Sequence, residues 1–207
     1  MKLSHASSPR ILMQPGWQSS GKDHWQTLWE RRLGASARRV EQRDWLHLDK
    51  TAWVAKLASS IAPEEQLVIV VAHSIGCIAT AMVLAGSSSS WSEELEAARR
   101  KIAAVILVAP ADSERPYADP EVAAFGPIPS WALGVPALVI ASTDDPYCSL
   151  ERARAFASAW KADLHVVEAG GHINTEAGFG PWEDGWRLVQ GWAERHGFLW
   201  REEGVEA

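Results

Sequence analysis

Apolar residues gather in short unbroken runs, and between the runs they recur every three or four positions; the two patterns alternate along the chain. Leu67 to Ala72, Ile102 to Ala109 and Ala137 to Ser142 read as strands buried on both faces, with shorter strands at Arg10 to Gln14, Arg38 to Gln42 and Leu164 to Glu168. Helical spacing follows Asp23, expected as an N-cap in D-H-W-Q, and fills Asp49 to Ala62, Ser74 to Ala85, Ser149 to Trp160 and Trp182 to Arg195. Ser90 with Glu93 fits a capping box, so Ser87 to Ser90 is expected to be a loop entering a further small helix. Strands alternating with helices predict an α/β fold: a mainly parallel six-stranded sheet with helices on both faces. A chain of 207 residues suits one domain over 1–207, with flexible ends at 1–9 and 201–207.

Chemistry enters at the junction of the third predicted strand with its helix. In LVIVVAHSIG, Ser74 follows a β-branched run and opens a helix of small residues. That is the setting of a nucleophile elbow, written G-x-S-x-G because the sharp turn brings neighbouring backbones too close for side chains. Here Ala72 stands at the first glycine position and Gly76 at the second. The turn exposes the Ser74 hydroxyl and aims the Ile75 N–H toward a developing oxyanion. A hydroxyl is nearly inert at its own pKa and needs an imidazole within reach. His172, after the last strand in A-G-G-H-I-N, is the expected base, because Gly170 and Gly171 allow a tight turn that presents its ring. Two adjacent acids follow the fifth strand in T-D-D-P-Y-C. Asp145 precedes Pro146, which favours an extended backbone and makes it the modestly preferred partner for the imidazole; Asp144 is the runner-up and Glu168 a remote third. The order serine, acid, histidine is that of the α/β-hydrolase fold. Pro15-Gly16-Trp17, after the first strand, is the expected source of a second oxyanion donor, the Trp17 N–H.

Composition removes several classes. The net charge is −6 and the basic residues are scattered, so a nucleic-acid partner is not expected. The N-terminal MKLSHASSPR has no apolar signal region, and no stretch approaches the roughly 20 apolar residues of a membrane span, so a soluble cytoplasmic protein without a membrane partner is expected. Cys77 and Cys148 are too few for a disulfide framework and lack zinc-site spacing. Both are read as small buried residues, and neither a metal nor a cofactor is expected.

The segment from Ala111 to Val135, where larger relatives of this fold carry a lid, is short, so little or no lid and an open pocket are expected. Tyr117, Phe125 and Trp131 in it are candidate pocket walls, or cover for the sheet. Trp182, in the G-F-G-P-W that follows His172, is placed near the site, and His24, beyond the first loop, is expected to supply a supporting hydrogen bond. His73 is expected to point away from the elbow.

The segments PGWQSSGKDHWQTLWE, VVAHSIGC, ASTDDPYCSLERA and AGGHINTEAGFGPWEDG together resemble the small single-domain α/β hydrolases related to human retinoblastoma-binding protein nine, over nearly everything from Ile11 to Trp192. The resemblance places the family's triad on Ser74, Asp145 and His172, and so decides between the two acids. It implies a serine hydrolase of the carboxylesterase type acting on small esters, or on amides or thioesters, through an acyl-serine intermediate. The alternative is a ligand- or protein-binding module on the same scaffold. An L-x-C-x-E peptide, normally associated with retinoblastoma binding, does not occur here, so that partner is not carried over.

Overall fold

The computed structural model describes residues 9–85 and 93–200. The expected flexible ends, Pro9 excepted, and the expected loop and helix start at Ser87 to Ser90 lie outside the described residues. Six strands, β1 (Arg10–Gln14), β2 (Ala37–Arg39), β3 (Val68–His73), β4 (Ile102–Val108), β5 (Ala137–Ser142) and β6 (Asp163–Val167), form one sheet in the order β2-β1-β3-β4-β5-β6. Every neighbouring pair is parallel. The second strand is displaced from its expected position: pairing with β1 spans Ile11–Met13 opposite Ala37–Arg39, and only the Val40 N–H, donating to the Met13 carbonyl, extends the contact.

Because side chains alternate across a strand, the buried runs feed two cores. Val68, Val70 and Ala72 face Trp53, Leu57 and Ile61 of α2 (Lys50–Ile61), α3 (Ile75–Ala85), and Phe156 and Trp160 of α6 (Leu150–Trp160). Ile69 and Val71 face Trp25, Trp29 and Leu33 of α1 (Trp25–Leu33) and Trp186, Val189 and Trp192 of α7 (Glu183–Arg195). Leu95 and Ala98 of α4 (Glu93–Lys101) join the first core. The predicted α/β-hydrolase architecture is therefore present, with helices on both faces of the sheet. No helix among the described residues is long and apolar enough to cross a membrane.

Two helix starts differ from expectation. The cap of α1 is His24, whose Nδ1 accepts the Gln26 N–H at 3.2 Å, and not Asp23. Trp182 precedes α7 in a left-handed conformation and makes no capping bond. The short segment 111–135 holds one four-residue helix, α5 (Pro120–Ala123), in place of a lid domain.

A close backbone junction joins α3 to the end of β1. A Cβ at Gly76 would lie 2.5 Å from the Pro15 carbonyl oxygen and 2.8 Å from that of Gln14, and backbone atoms there cannot step aside. We expect Gly76→Ala to lower stability by about 1–3 kcal/mol through overpacking, measured as an earlier urea midpoint. Gly21→Ala, which meets nothing within 4 Å, should leave the midpoint nearly unchanged. Equal midpoints for the two variants would refute this account of the junction.

Candidate active site

A sheet of parallel strands sends every strand end to the same edge, so the loops after β1, β3, β5 and β6 converge there. Ser74 occupies the β3–α3 turn with φ of 56°, a left-handed conformation that a non-glycine residue adopts only under constraint. The constraint is visible: the Ser74 N–H donates to the Val108 carbonyl at 3.0 Å, which ties the turn to β4. Gly76 leaves room for the chain behind it. Ala72, at the first glycine position, is fully buried in the α2/α3 core, where its methyl is accommodated.

The three residues expected from sequence meet. Ser74 Oγ lies 2.8 Å from His172 Nε2. His172 Nδ1 lies 3.0 and 2.9 Å from the two carboxylate oxygens of Asp145. The Asp145 side chain is 2 % exposed and that of His172 9 %, so the pair sits in a poorly hydrated environment, where such bonds are strong. The Tyr147 N–H donates to Asp145 Oδ1 at 2.8 Å and fixes the carboxylate. Asp144 faces other partners, its Oδ1 accepting from the Ser142 hydroxyl and the Gly171 N–H, both at 2.7 Å. Those bonds hold its carboxyl below the usual range, the Ser142 hydroxyl contributing most.

The first loop approaches the serine as expected. A Cβ at Gly16 would fall 2.7 Å from Ser74 Cβ and 3.3 Å from its Oγ. The Ile75 N–H is the first of α3 and so has no acceptor within its own helix. The Trp17 N–H pairs with no acceptor among the described residues, while its indole N–H donates to the Leu46 carbonyl at 3.0 Å. Gln26, fully buried, ties the region together by donating from Nε2 to the Val71 and Gln14 carbonyls and accepting from the Ser20 hydroxyl.

A cavity of about 420 Å³ opens over Ser74, His172, Ile75 and Trp17. Its wall differs from the one expected from sequence. His24 is on it, but Phe125, Trp131 and Trp182 are not. Phe125 is fully buried, edge-on to Trp53, as part of the core. Trp131 is half-exposed elsewhere on the surface. Trp182 stacks on Trp29 at 5.5 Å and meets Trp25 edge-on, which makes it packing for α1. Tyr117, the other aromatic of that segment, is fully exposed. Besides Trp17, the aromatic at the site is Tyr147, 4.6 Å from the His172 ring, with the Arg115 guanidinium 5.3 Å from its own ring. Arg115, Asn174 and Thr175 add polar groups to the wall. The sequence signal for Tyr147 is its position two residues after Asp145, where an Asx-turn folds it back.

His73 also departs from expectation. It does not point away: its Nε2 lies 2.9 Å from the His172 carbonyl, and a carbonyl only accepts, so this nitrogen carries the proton. Strand alternation gives the reason, since His73 continues the face of Ile69 and Val71. His24, His73 and His172 form a file with ring centroids 5.0 and 4.9 Å apart. Burial above all, with the His172 charge next, pushes His73 well below its ordinary pKa. For His24, burial, then Arg39 and His172, lower the pKa from 6.5 to about 4.

Both histidines are thus neutral in the fold at pH values where the unfolded chain would protonate them. The stability this represents is complete above pH 6.5 and is lost as pH falls toward 4; for His24 alone the shift corresponds to about 3 kcal/mol. We expect urea unfolding to report falling stability between pH 6.5 and pH 4, and His24→Asn, which keeps a capping acceptor, to flatten that slope. An unaltered slope in the variant would remove His24 as its source.

Among the described residues no cluster of three or more His, Cys, Asp or Glu side chains is arranged to hold a metal ion. Cys77 and Cys148 are both buried free thiols, as expected. A family model described as "Serine hydrolase" matches residues 11–191. A search of curated proteins returned no match. Among solved structures, a YdeN-like hydrolase from Pectobacterium atrosepticum shares 35% identity, covers 91% of this chain and 92% of its own, and superposes with a TM-score of 0.76. The ydeN gene product of B. subtilis is 19% identical over 90% of this chain and 100% of its own, with a TM-score of 0.71. Esterase 2 of Thermogutta terrifontis is 18% identical over 97% and 88%, with a TM-score of 0.69; at that identity the two share the fold.

Proposed function

The chain belongs to the serine hydrolase family, and from that membership we propose that Ser74, His172 and Asp145 are a catalytic triad that cleaves small carboxylic esters through an acyl-serine intermediate. The observation that carries this reading is the unbroken run of hydrogen bonds from the Ser74 hydroxyl through the imidazole to a buried carboxylate. His172 Nε2 takes the hydroxyl proton as Ser74 Oγ attacks the carbonyl carbon, and returns it to the leaving alkoxide. Asp145 holds the imidazole in the tautomer with the proton on Nδ1 and stabilises the imidazolium between those steps. The Ile75 and Trp17 N–H groups receive the negative charge on the former carbonyl oxygen. Water then attacks the acyl carbon, giving its proton to His172, and Ser74 leaves as the alcohol. Amides and thioesters fit the same sequence of steps.

The cavity supports a small substrate. About 420 Å³ is toward the lower end of ligand pockets, and among the described residues no lid domain covers it. A fluorophosphonate should label Ser74 alone, with labelling absent in Ser74→Ala; labelling elsewhere, or none of the wild type, would favour a binding module.

Asp145→Asn should lower kcat by roughly 10³- to 10⁴-fold, because the amide favours the wrong tautomer of His172, while Asp144→Asn should cost far less. Reversed effects in equally stable proteins would move the acid to Asp144.

For p-nitrophenyl esters we expect kcat/KM to be higher with the butyrate than with the palmitate, and no rise in rate above the solubility limit. A preference for the long chain, or interfacial activation, would show that segment 111–135 acts as a lid.

A further inference from the structure

The loop that carries His172 is an awkward piece of backbone. Ala169, Gly171 and Ile173 have φ values of 48°, 52° and 48°, so left-handed residues flank the base on both sides, one of them β-branched. Within residues 169–173 the local hydrogen bonding amounts to one turn bond, from the Ile173 N–H to the Gly170 carbonyl at 3.0 Å. Such a conformation persists only where surrounding structure over-determines it. Trp25 supplies part of that support, its indole N–H reaching the Ile173 carbonyl at 2.9 Å. The remainder comes from the strand ends. Thr143 Oγ1 accepts the Ala169 N–H and Ser142 Oγ the Gly170 N–H, both at 2.9 Å.

The two bonds closest to the base have a common pattern. His73, the chain neighbour of Ser74, donates to the carbonyl of His172 at 2.9 Å. Asp144, the chain neighbour of Asp145, accepts the N–H of Gly171 at 2.7 Å. We propose that His73 and Asp144 are positioning residues that clamp the base loop from two sides, each transmitting the location of its catalytic neighbour to the backbone around His172. This rests on the triad reading above. The imidazole has to face two partners at once, Ser74 from β3 and Asp145 from β5. With one peptide unit before His172 held by Asp144 and one after it held by His73, the base cannot drift relative to either partner. His73 suits this role because it offers a buried neutral donor, 6 % exposed. A cation in its place would sit beside the imidazolium that forms during attack, at a ring separation of 4.9 Å.

The test compares donor-deleting and acceptor-deleting variants with conservative ones. His73→Phe and Asp144→Ala should each lower kcat by about 10- to 100-fold, the scale of a small misplacement of a reacting group, with KM changed far less. His73→Gln, which keeps an amide donor at similar reach, and Asp144→Asn, which keeps the acceptor oxygen, should recover most of the rate. The double variant should lose less than the product of the single losses, because both act on one loop. The downfield proton resonance of His172 Nδ1–H against Asp145 should broaden or vanish in the deletion variants and return in the conservative ones. All measurements are made well below each variant's own Tm, so that a loss of folded protein cannot imitate a loss of kcat. Wild-type kcat in both deletion variants would overturn the clamp. So would conservative variants no better than the deletions, or an unaltered resonance. If the wild type is not labelled by fluorophosphonate at Ser74, the triad reading fails, and the resonance still reports whether the loop is clamped.

Discussion

The β3–α3 turn at Ser74 is the constraint on which the rest of the site depends. A serine held at a φ of 56° is unfavourable by roughly 1–3 kcal/mol on its own. Neighbours on three sides hold it: β4 accepts the Ser74 N–H through the Val108 carbonyl, Gly76 lets the end of β1 approach, and Gly16 brings the first loop against the serine side chain. The same geometry that strains the turn lifts the hydroxyl out of the sheet and leaves the first N–H of α3 without a helical acceptor. In the proposed mechanism, placement of the nucleophile and of an oxyanion donor is one backbone event.

Around that turn the polar groups are arranged to keep separate loops in register. Gln26 bridges β1, β3 and the first loop from a fully buried position. The end of β5 holds the end of β6 through Ser142, Thr143 and Asp144, all of which bond to backbone N–H groups of residues 169–171. Side chains bonded to backbone fix the path of a loop without using the proposed triad itself. The file of His24, His73 and His172 adds an electrostatic condition, since only one of three rings in such contact can carry a charge at modest cost, and burial keeps the first two neutral.

The abundance of tryptophan serves packing. Trp25, Trp29, Trp182, Trp186 and Trp200 contact one another edge-on or stacked beneath α1 and α7. Trp25 connects this cluster to the site through its bond to the Ile173 carbonyl. Of the aromatics that border the cavity, Trp17 and Tyr147, the latter is half-exposed.

Local patterns in the sequence are enough for the sheet, for Ser74 and for His172, because each is written in short range: a β-branched run, a small-residue helix, a pair of glycines before a histidine. The choice of Asp145 over Asp144 is partly legible, through Pro146 and family resemblance. What sequence does not decide is which distant surfaces meet. Phe125 and Trp131 look like pocket walls because they lie in the segment where larger relatives carry a lid, and Trp182 because it follows His172 along the chain, yet the first is in the core, the second on another surface and the third under α1. His73 reads from the elbow alone as turned away, although the alternation of β3 already places it on the face of Ile69 and Val71. That this face meets the base loop 99 residues later in the chain is a product of strand order and of loop conformation. Periodicity along a chain encodes which way a side chain faces; only the packing of elements far apart in sequence determines what it faces.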